Sequence, residues 1–161
     1  MEQIIASAAA VLNAHPEDIY ATIADYRHGH PNILPRENLY DLQVEQGGYG
    51  AGTIIRFKAR VLGVEQSFHH RVSEPEPGRV LVEQDIDPVQ NVRTTFTVTP
   101  AGNEQKSRVE ICTTMNPSPG LKGVVERILV PIINRRVYRK ELQLLEAYAQ
   151  KRRTTHAQPK S

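Results

Sequence analysis

With 161 residues and a mass of 18.1 kDa, the chain has the size of one domain, and its 39% hydrophobic and 24% charged residues exclude a disordered or collagen-like protein. No apolar run approaches the roughly 20 residues of a membrane-spanning helix, and no basic segment opens the chain as in a secretory signal. Residues 150–161 hold four of the 20 Lys and Arg residues and no Asp or Glu. The rest of the chain therefore has 16 basic and 18 acidic residues, and this balance excludes a basic nucleic-acid-binding surface there.

The first two predicted elements are a strand over residues 4–13 and a helix over residues 16–26. The Ala-rich residues 4–13 also suit a helix, but the proline that follows biases the preceding backbone toward an extended form. Pro16 fits the first helical position, where its missing N–H has no partner. The negative charges of Glu17 and Asp18 stabilise the N-terminus of this helix, which is the positive end of its dipole.

Six further strands follow, separated by Gly- and Pro-containing turns, and this spacing predicts an antiparallel meander. They cover residues 39–47, 52–62, 64–74, 79–86, 91–100 and 106–116. Apolar and polar residues alternate along most of them, as in a sheet that is covered on one face only. Polar side chains also fall on the predicted apolar face, and these are Gln66, His70, Gln84, Thr94 and Thr113.

A long amphipathic helix is predicted from Ser118 to about Arg152 to cover that face. Ser118 followed by Pro119 suits a helix start, and apolar residues then recur at three- and four-residue steps, Ile128 and Ile132 among them. Residues 1–152 therefore form the single predicted domain. Residues 153–161 are polar and basic, and we expect a disordered tail there.

The order of these elements resembles the START-like superfamily, also called Bet v 1-like or SRPBCC, and within it the polyketide cyclase/dehydrase group. The resemblance covers about residues 3–150. It rests on the opening strand and on Ala14-His15-Pro16-Glu17-Asp18-Ile19-Tyr20, Ile23-Ala24-Asp25-Tyr26 and Tyr49-Gly50-Ala51-Gly52-Thr53. It implies an α+β helix-grip fold, in which a curved seven-stranded antiparallel sheet wraps a long C-terminal helix around an apolar cavity.

The resemblance also implies a ligand, namely a hydrophobic or amphiphilic small molecule such as a lipid, a polyketide or a quinone. The residues predicted to bind it are Tyr26, Phe57, Gln66, Phe68, His70, Gln84, Thr94, Phe96, Thr113, Ile128 and Ile132. One alternative is a cyclase- or dehydrase-type enzyme in which His70 is the general acid–base. For His70, a hydrogen-bonded structural histidine is the other interpretation.

Other partners have less support in the sequence. No nucleotide-binding or metal-hydrolase motif occurs, and His28 and His30 have only Asp25 nearby, so we predict neither a cofactor nor a metal. A second alternative is a membrane-peripheral lipid or quinone chaperone that docks through Arg135, Arg136, Arg139 and Lys140, although helix-dipole stabilisation is the favoured explanation of these cations. The single cysteine, Cys112, excludes an internal disulfide and favours a cytoplasmic location. The oligomeric state stays open.

Overall fold

The computed structural model describes residues 2–61, 63–87 and 89–157. Strand β1 (Ile4–Leu12) is followed by helix α1 (Pro16–Ala24) and a 3-10 turn at His30–Asn32. Six more strands and one long helix complete the fold: β2 (Leu39–Gln46), β3 (Ile54–Val61), β4 (Val64–Glu76), β5 (Val80–Asp85), β6 (Arg93–Ala101), β7 (Lys106–Met115) and α2 (Leu121–Ala157).

The seven strands form one curved antiparallel sheet in the order β1-β7-β6-β5-β4-β3-β2, which confirms the predicted fold class. The Ala-rich opening segment is a strand, because it pairs along its whole length with β7, from Ile4 opposite Met115 to Leu12 opposite Ser107. The other strands pair with their sequence neighbours, as in a meander.

The predicted alternation holds in β3, β4, β6 and β7. In β3, for example, Ile55 and Ala59 are buried while Arg56 and Arg60 are exposed. The main core lies where this apolar face meets α1 and the later part of α2, and it includes Ile19, Ile23, Leu81, Phe96, Ile111, Leu142 and Leu145. No helix in the described ranges has the length and apolar character needed to cross a bilayer.

Helix α2 differs from the prediction at both ends. It begins at Leu121 rather than after Ser118, whose hydroxyl donates a hydrogen bond to Oε1 of Glu126 (2.6 Å). At the other end it continues to Ala157, so residues 153–157 are helical and not a disordered tail. Arg153 stabilises this extension, since its guanidinium lies 3.3 Å from the Glu17 carboxylate. Residues 158–161 of the predicted tail lie outside the described residues.

Candidate functional site

A cavity of about 320 Å³ lies between the sheet and α2. Its volume falls in the range of sites that take a small organic ligand. Most of its lining is apolar: Leu34, Leu39, Leu42, Ile55, Phe57, Ala59, Val61, Val64, Phe68, Val92, Phe96, Met115, Val125, Leu129, Val130, Ile133 and Val137. The strands supply one wall and α2 the other. Alternate residues of the strands, and residues spaced by about 3.6 positions along the helix, turn their apolar side chains into the same space.

Aromatic rings form part of the sheet wall. Phe57 and Phe68 are opposite each other in the β3–β4 register and stack with their ring centroids 5.2 Å apart. The rings of His70 and Phe57 are nearly perpendicular, with their centroids 5.0 Å apart. These contacts fix the orientation of His70 without using either of its nitrogen atoms.

Two histidines and two glutamates that are buried also line the cavity, and we call His30, His70, Glu83 and Glu141 the buried polar cluster. They come from the 3-10 turn, β4, β5 and α2, respectively. The ring of His30 is held by its Nδ1, which donates a hydrogen bond to the carbonyl oxygen of Ile23 (2.8 Å).

Glu83 is the centre of this cluster. The Tyr26 hydroxyl donates a 2.6 Å hydrogen bond to Oε1 of Glu83, and Nε2 of His30 lies 3.6 Å from the same oxygen. Burial alone raises the pKa of the Glu83 carboxyl, but His70, His30 and Tyr26 together outweigh burial and hold that pKa below its usual value. Glu83 is therefore a buried carboxylate that stays ionised at neutral pH.

His70 lies between two carboxylates. Its Nδ1 is 3.8 Å from Oε2 of Glu83 and its Nε2 is 3.6 Å from Oδ1 of Asp85, distances that are too long for hydrogen bonds. Both ring nitrogens are buried and have no hydrogen-bond partner among the described residues. No pattern in the sequence predicted these carboxylates beside His70. The catalytic role of this histidine, and with it the cyclase or dehydrase alternative, stays a prediction.

Glu141 faces the cavity from the helix wall and is 2% exposed. Burial, and then the negative charge of Glu83, raises the pKa of the Glu141 carboxyl well above its usual value. Its surroundings therefore favour the protonated form of Glu141, and its Oε1 has no hydrogen-bond partner among the described residues. Sequence analysis missed it, although it lies at helical spacing from Val137 and Leu145 in the apolar stripe.

Three hydroxyl groups continue the polar surface beside the cluster. Oγ1 of Thr94 and Oγ1 of Thr113 are 2.7 Å apart, and Thr113 also shares a hydrogen bond with the hydroxyl of Tyr138. Burial raises the pKa of Tyr138. These hydroxyls satisfy one another, which distinguishes them from the unpartnered atoms of His70 and Glu141.

The structure brings together at the cavity most of the residues predicted to bind ligand. Those in the lining are Phe57, Gln66, Phe68, His70, Thr94, Phe96 and Thr113. Their alternation along β3, β4, β6 and β7 was sufficient to place them on one face. Their role in binding a ligand stays a prediction.

Tyr26 and Gln84 are not in the lining. Tyr26 is buried behind the wall, stacked on His30 with ring centroids 4.5 Å apart, and reaches the cavity only through its hydrogen bond to Glu83. The register places Gln84 opposite Arg71 and Arg93, on the other face of the sheet. Its predicted position was wrong, and Glu83, one residue earlier, faces inward.

Ile128 and Ile132 are also outside the lining, with 62% and 52% of their surfaces exposed. Helix α2 turns the neighbouring residues Leu129 and Ile133 toward the cavity instead. Their predicted position in the cavity was wrong, because the apolar stripe of α2 is wider than the surface that the sheet covers.

The histidines of the loop before β2 lie in different surroundings. His28 is an exposed side chain that lies 3.6 Å from Asp25, whereas His30 is turned into the buried polar cluster. No group of three or more His, Cys, Asp or Glu side chains with an arrangement suitable for a metal ion occurs among the residues that the structure describes.

Comparisons with known proteins agree with this architecture. A family model described as polyketide cyclase / dehydrase and lipid transport matches residues 3–150. A search of curated proteins finds no match. Among solved structures, the KanY protein is 28% identical with a TM-score of 0.79, and the match covers 93% of this chain and 99% of that chain.

Two more distant structures share the fold. An aromatase/cyclase, ZhuI from Streptomyces sp. R1128, is 14% identical with a TM-score of 0.76, over 94% of this chain and 96% of its own. A START superfamily protein from Mycobacterium smegmatis is 14% identical with a TM-score of 0.69, over 91% of this chain and 97% of its own. These likenesses confirm the helix-grip fold that the sequence resemblance implied.

Proposed function

This chain belongs to the polyketide cyclase, dehydrase and lipid transport family, and on that premise we propose that it binds a hydrophobic or amphiphilic small molecule in its cavity. The observation that carries the proposal is the space of about 320 Å³ with a mainly apolar lining. Water gains few hydrogen bonds in such a space, so an apolar ligand that displaces it is favoured.

Occupation of the cavity by a bulky side chain tests this function. Ala59 is buried in the sheet wall and faces the cavity, so Ala59→Trp should lower the affinity for the neutral fluorescent probe N-phenyl-1-naphthylamine by about tenfold or more. Leu129→Trp fills the same space from α2. The measurement is a fluorescence titration, with thermal unfolding to show that each variant is folded.

The matched control is Ser67→Trp, an exposed residue on the outer face of the neighbouring strand, which should leave the probe affinity unchanged. Equal loss of affinity in Ser67→Trp and in both cavity variants would contradict internal binding. Native mass spectrometry of freshly purified protein supplies an independent readout, in which a co-purified small molecule is the expected result.

A second candidate function, that of a membrane-peripheral lipid or quinone chaperone, is favoured by the surface of α2. Its apolar residues Leu121, Val124, Ile128 and Ile132 are exposed along one stripe of the helix, which Arg135 and Arg139 continue at helical spacing. In this described stretch, the exposed residues between positions 121 and 140 are apolar or cationic, and none is a carboxylate.

This pattern suits one occupant, the surface of an anionic bilayer. Apolar side chains enter the boundary of the acyl chains while Lys and Arg contact the lipid headgroups. Val125 and Lys122 belong both to this surface and to the lining of the cavity, so a bilayer docked here would lie next to the ligand space. Ligand exchange with the bilayer then needs no passage through bulk water.

Co-sedimentation with vesicles of phosphatidylcholine and phosphatidylglycerol tests the second candidate. The protein should bind at low salt, and the double variant Ile128→Glu with Ile132→Glu should lower the bound fraction about tenfold. Val11→Glu, at an exposed valine on β1, is the control and should keep the binding. No binding by the native chain would eliminate this candidate and leave the cavity proposal intact.

A further inference from the structure

Two carboxyl groups face the same cavity from opposite walls. Glu83 comes from β5 and is 6% exposed, and Glu141 comes from α2 and is 2% exposed. Both belong to a lining that is otherwise mostly apolar. Burial of a carboxyl group in an apolar space is unfavourable, most of all where an oxygen lacks a hydrogen-bond partner, so an arrangement that serves packing alone would not retain both.

Unused hydrogen-bonding capacity is concentrated at this place. Oε1 of Glu141 and both ring nitrogens of His70 are buried without a hydrogen-bond partner among the described residues. The hydroxyls of Thr94, Thr113 and Tyr138 nearby are satisfied by one another. The buried polar cluster thus offers both a donor and an acceptor to a molecule in the cavity.

We infer that the buried polar cluster binds the hydroxyl group of an otherwise apolar ligand and discriminates against a carboxylate on the same apolar body, an inference that rests on the proposed function. A hydroxyl has one donor and two acceptor lone pairs. It donates to the Glu83 carboxylate and accepts a hydrogen bond from the acid proton of Glu141. Both partners are held in place by the rigid elements that carry them.

A ligand carboxylate meets the opposite situation. It brings a second negative charge close to Glu83 in a space with little water, where like charges repel much more strongly than in solution. It also loses more hydration than a hydroxyl when it enters the cavity. Fatty acids and other anionic lipids are therefore poor ligands, and alcohols or phenols of the same shape are good ones.

Three probes with one apolar body test this selectivity: 2-naphthol, 2-naphthoate and 2-methylnaphthalene. At neutral pH the first is uncharged, the second is an anion and the third has no polar group. Titration of the native chain, followed by calorimetry or fluorescence, should show 2-naphthol binding at least about tenfold more tightly than 2-naphthoate. The affinity for 2-methylnaphthalene should lie between the other two.

Variants then assign the discrimination to its source. Glu83→Gln removes the buried charge and should reduce the preference for naphthol to about threefold or less. Glu65→Gln, on the outer face of β4, is the matched control and should leave the preference unchanged.

The outcomes separate this inference from the function on which it rests. If 2-methylnaphthalene binds but 2-naphthoate equals or exceeds 2-naphthol, the inference is overturned and the cavity function stands. If none of the probes binds, both are overturned. A preference that a folded Glu83→Gln variant leaves intact also overturns the inference. The ratio in the native chain decides the matter even where that variant does not fold.

Discussion

The two halves of α2 carry the same apolar spacing but lie in different surroundings. In the later half, Val137, Leu142 and Leu145 are buried in the main core. In the earlier half, Leu121, Val124, Ile128 and Ile132 are exposed, and the helix face next to them forms a wall of the cavity. One helix thus closes the core with its later half and leaves a ligand space under its earlier half.

This difference shows how a small domain can hold a cavity and remain stable. Helix α1 contacts α2, and the residues of α1 share a core cluster with the later half of α2. Burial of apolar side chains in this core stabilises the fold, whereas the open cavity does not. The earlier half of α2 is therefore free to contact a ligand or a surface.

The largest expected effect is the loss of stability when a buried side chain in the later half of α2 is truncated, compared with a truncation in the earlier half. Leu145 is completely buried, so Leu145→Ala should lower the free energy of unfolding by about 2–5 kcal/mol. Ile128→Ala removes a similar apolar volume at an exposed site and should change it by about 0.5 kcal/mol or less. Urea denaturation of both variants measures the two values. Similar losses would show that the earlier half also belongs to the core.

Glu141 is the exception in the later half, because it is a carboxyl group among core residues. Its raised pKa in the folded state means that the folded chain binds a proton that the unfolded chain releases. The contribution of this group to stability is therefore complete at pH values below the usual pKa of a glutamate. It declines as the pH rises through neutral toward the raised pKa.

Glu141→Gln should remove that decline. At neutral pH we expect the free energy of unfolding of the variant to be about 1–2 kcal/mol higher than that of the native chain. This difference should disappear as the pH falls toward 5. Denaturation curves of both proteins from pH 5 to pH 8 measure the gap, and Glu146→Gln on the half-exposed side of α2 is the control. A gap that stays constant with pH would contradict protonation of Glu141.

The sequence predicted the sheet well because most strands have one solvent-exposed face, so that apolar and polar residues alternate along them. In β3, the apolar residues Ile55 and Ala59 alternate with arginines, and the period assigns the faces without help from the rest of the fold. β5 is different, since Leu81, Val82 and Glu83 are all buried. Three consecutive buried residues show no period, and for this reason the prediction chose Gln84 and missed Glu83.

The helix shows a second limit of sequence analysis. Ile128 and Ile132 follow the same three- and four-residue steps as the residues that do face the cavity, and a helix alone does not specify which part of a wide apolar stripe will be covered. Glu141 was missed for the opposite reason, because a charged residue in an apolar stripe is normally solvated. Its burial is a consequence of tertiary packing between α2 and the sheet.

The smallest effect is expected from two tyrosines of the later half that differ in the partners of their hydroxyls. Tyr138 shares a buried hydrogen bond with Thr113, whereas the hydroxyl of Tyr148 donates to the carbonyl oxygen of His28 (3.1 Å) at an exposed site. Tyr138→Phe should lower the free energy of unfolding by about 1 kcal/mol, and Tyr148→Phe by less than about 0.5 kcal/mol. The loss is limited because Thr94 and Thr113 still satisfy each other in the first variant. Urea denaturation of both variants tests the order, and a larger loss in Tyr148→Phe would mean that the polar wall of the cavity contributes less to stability than the exposed contact.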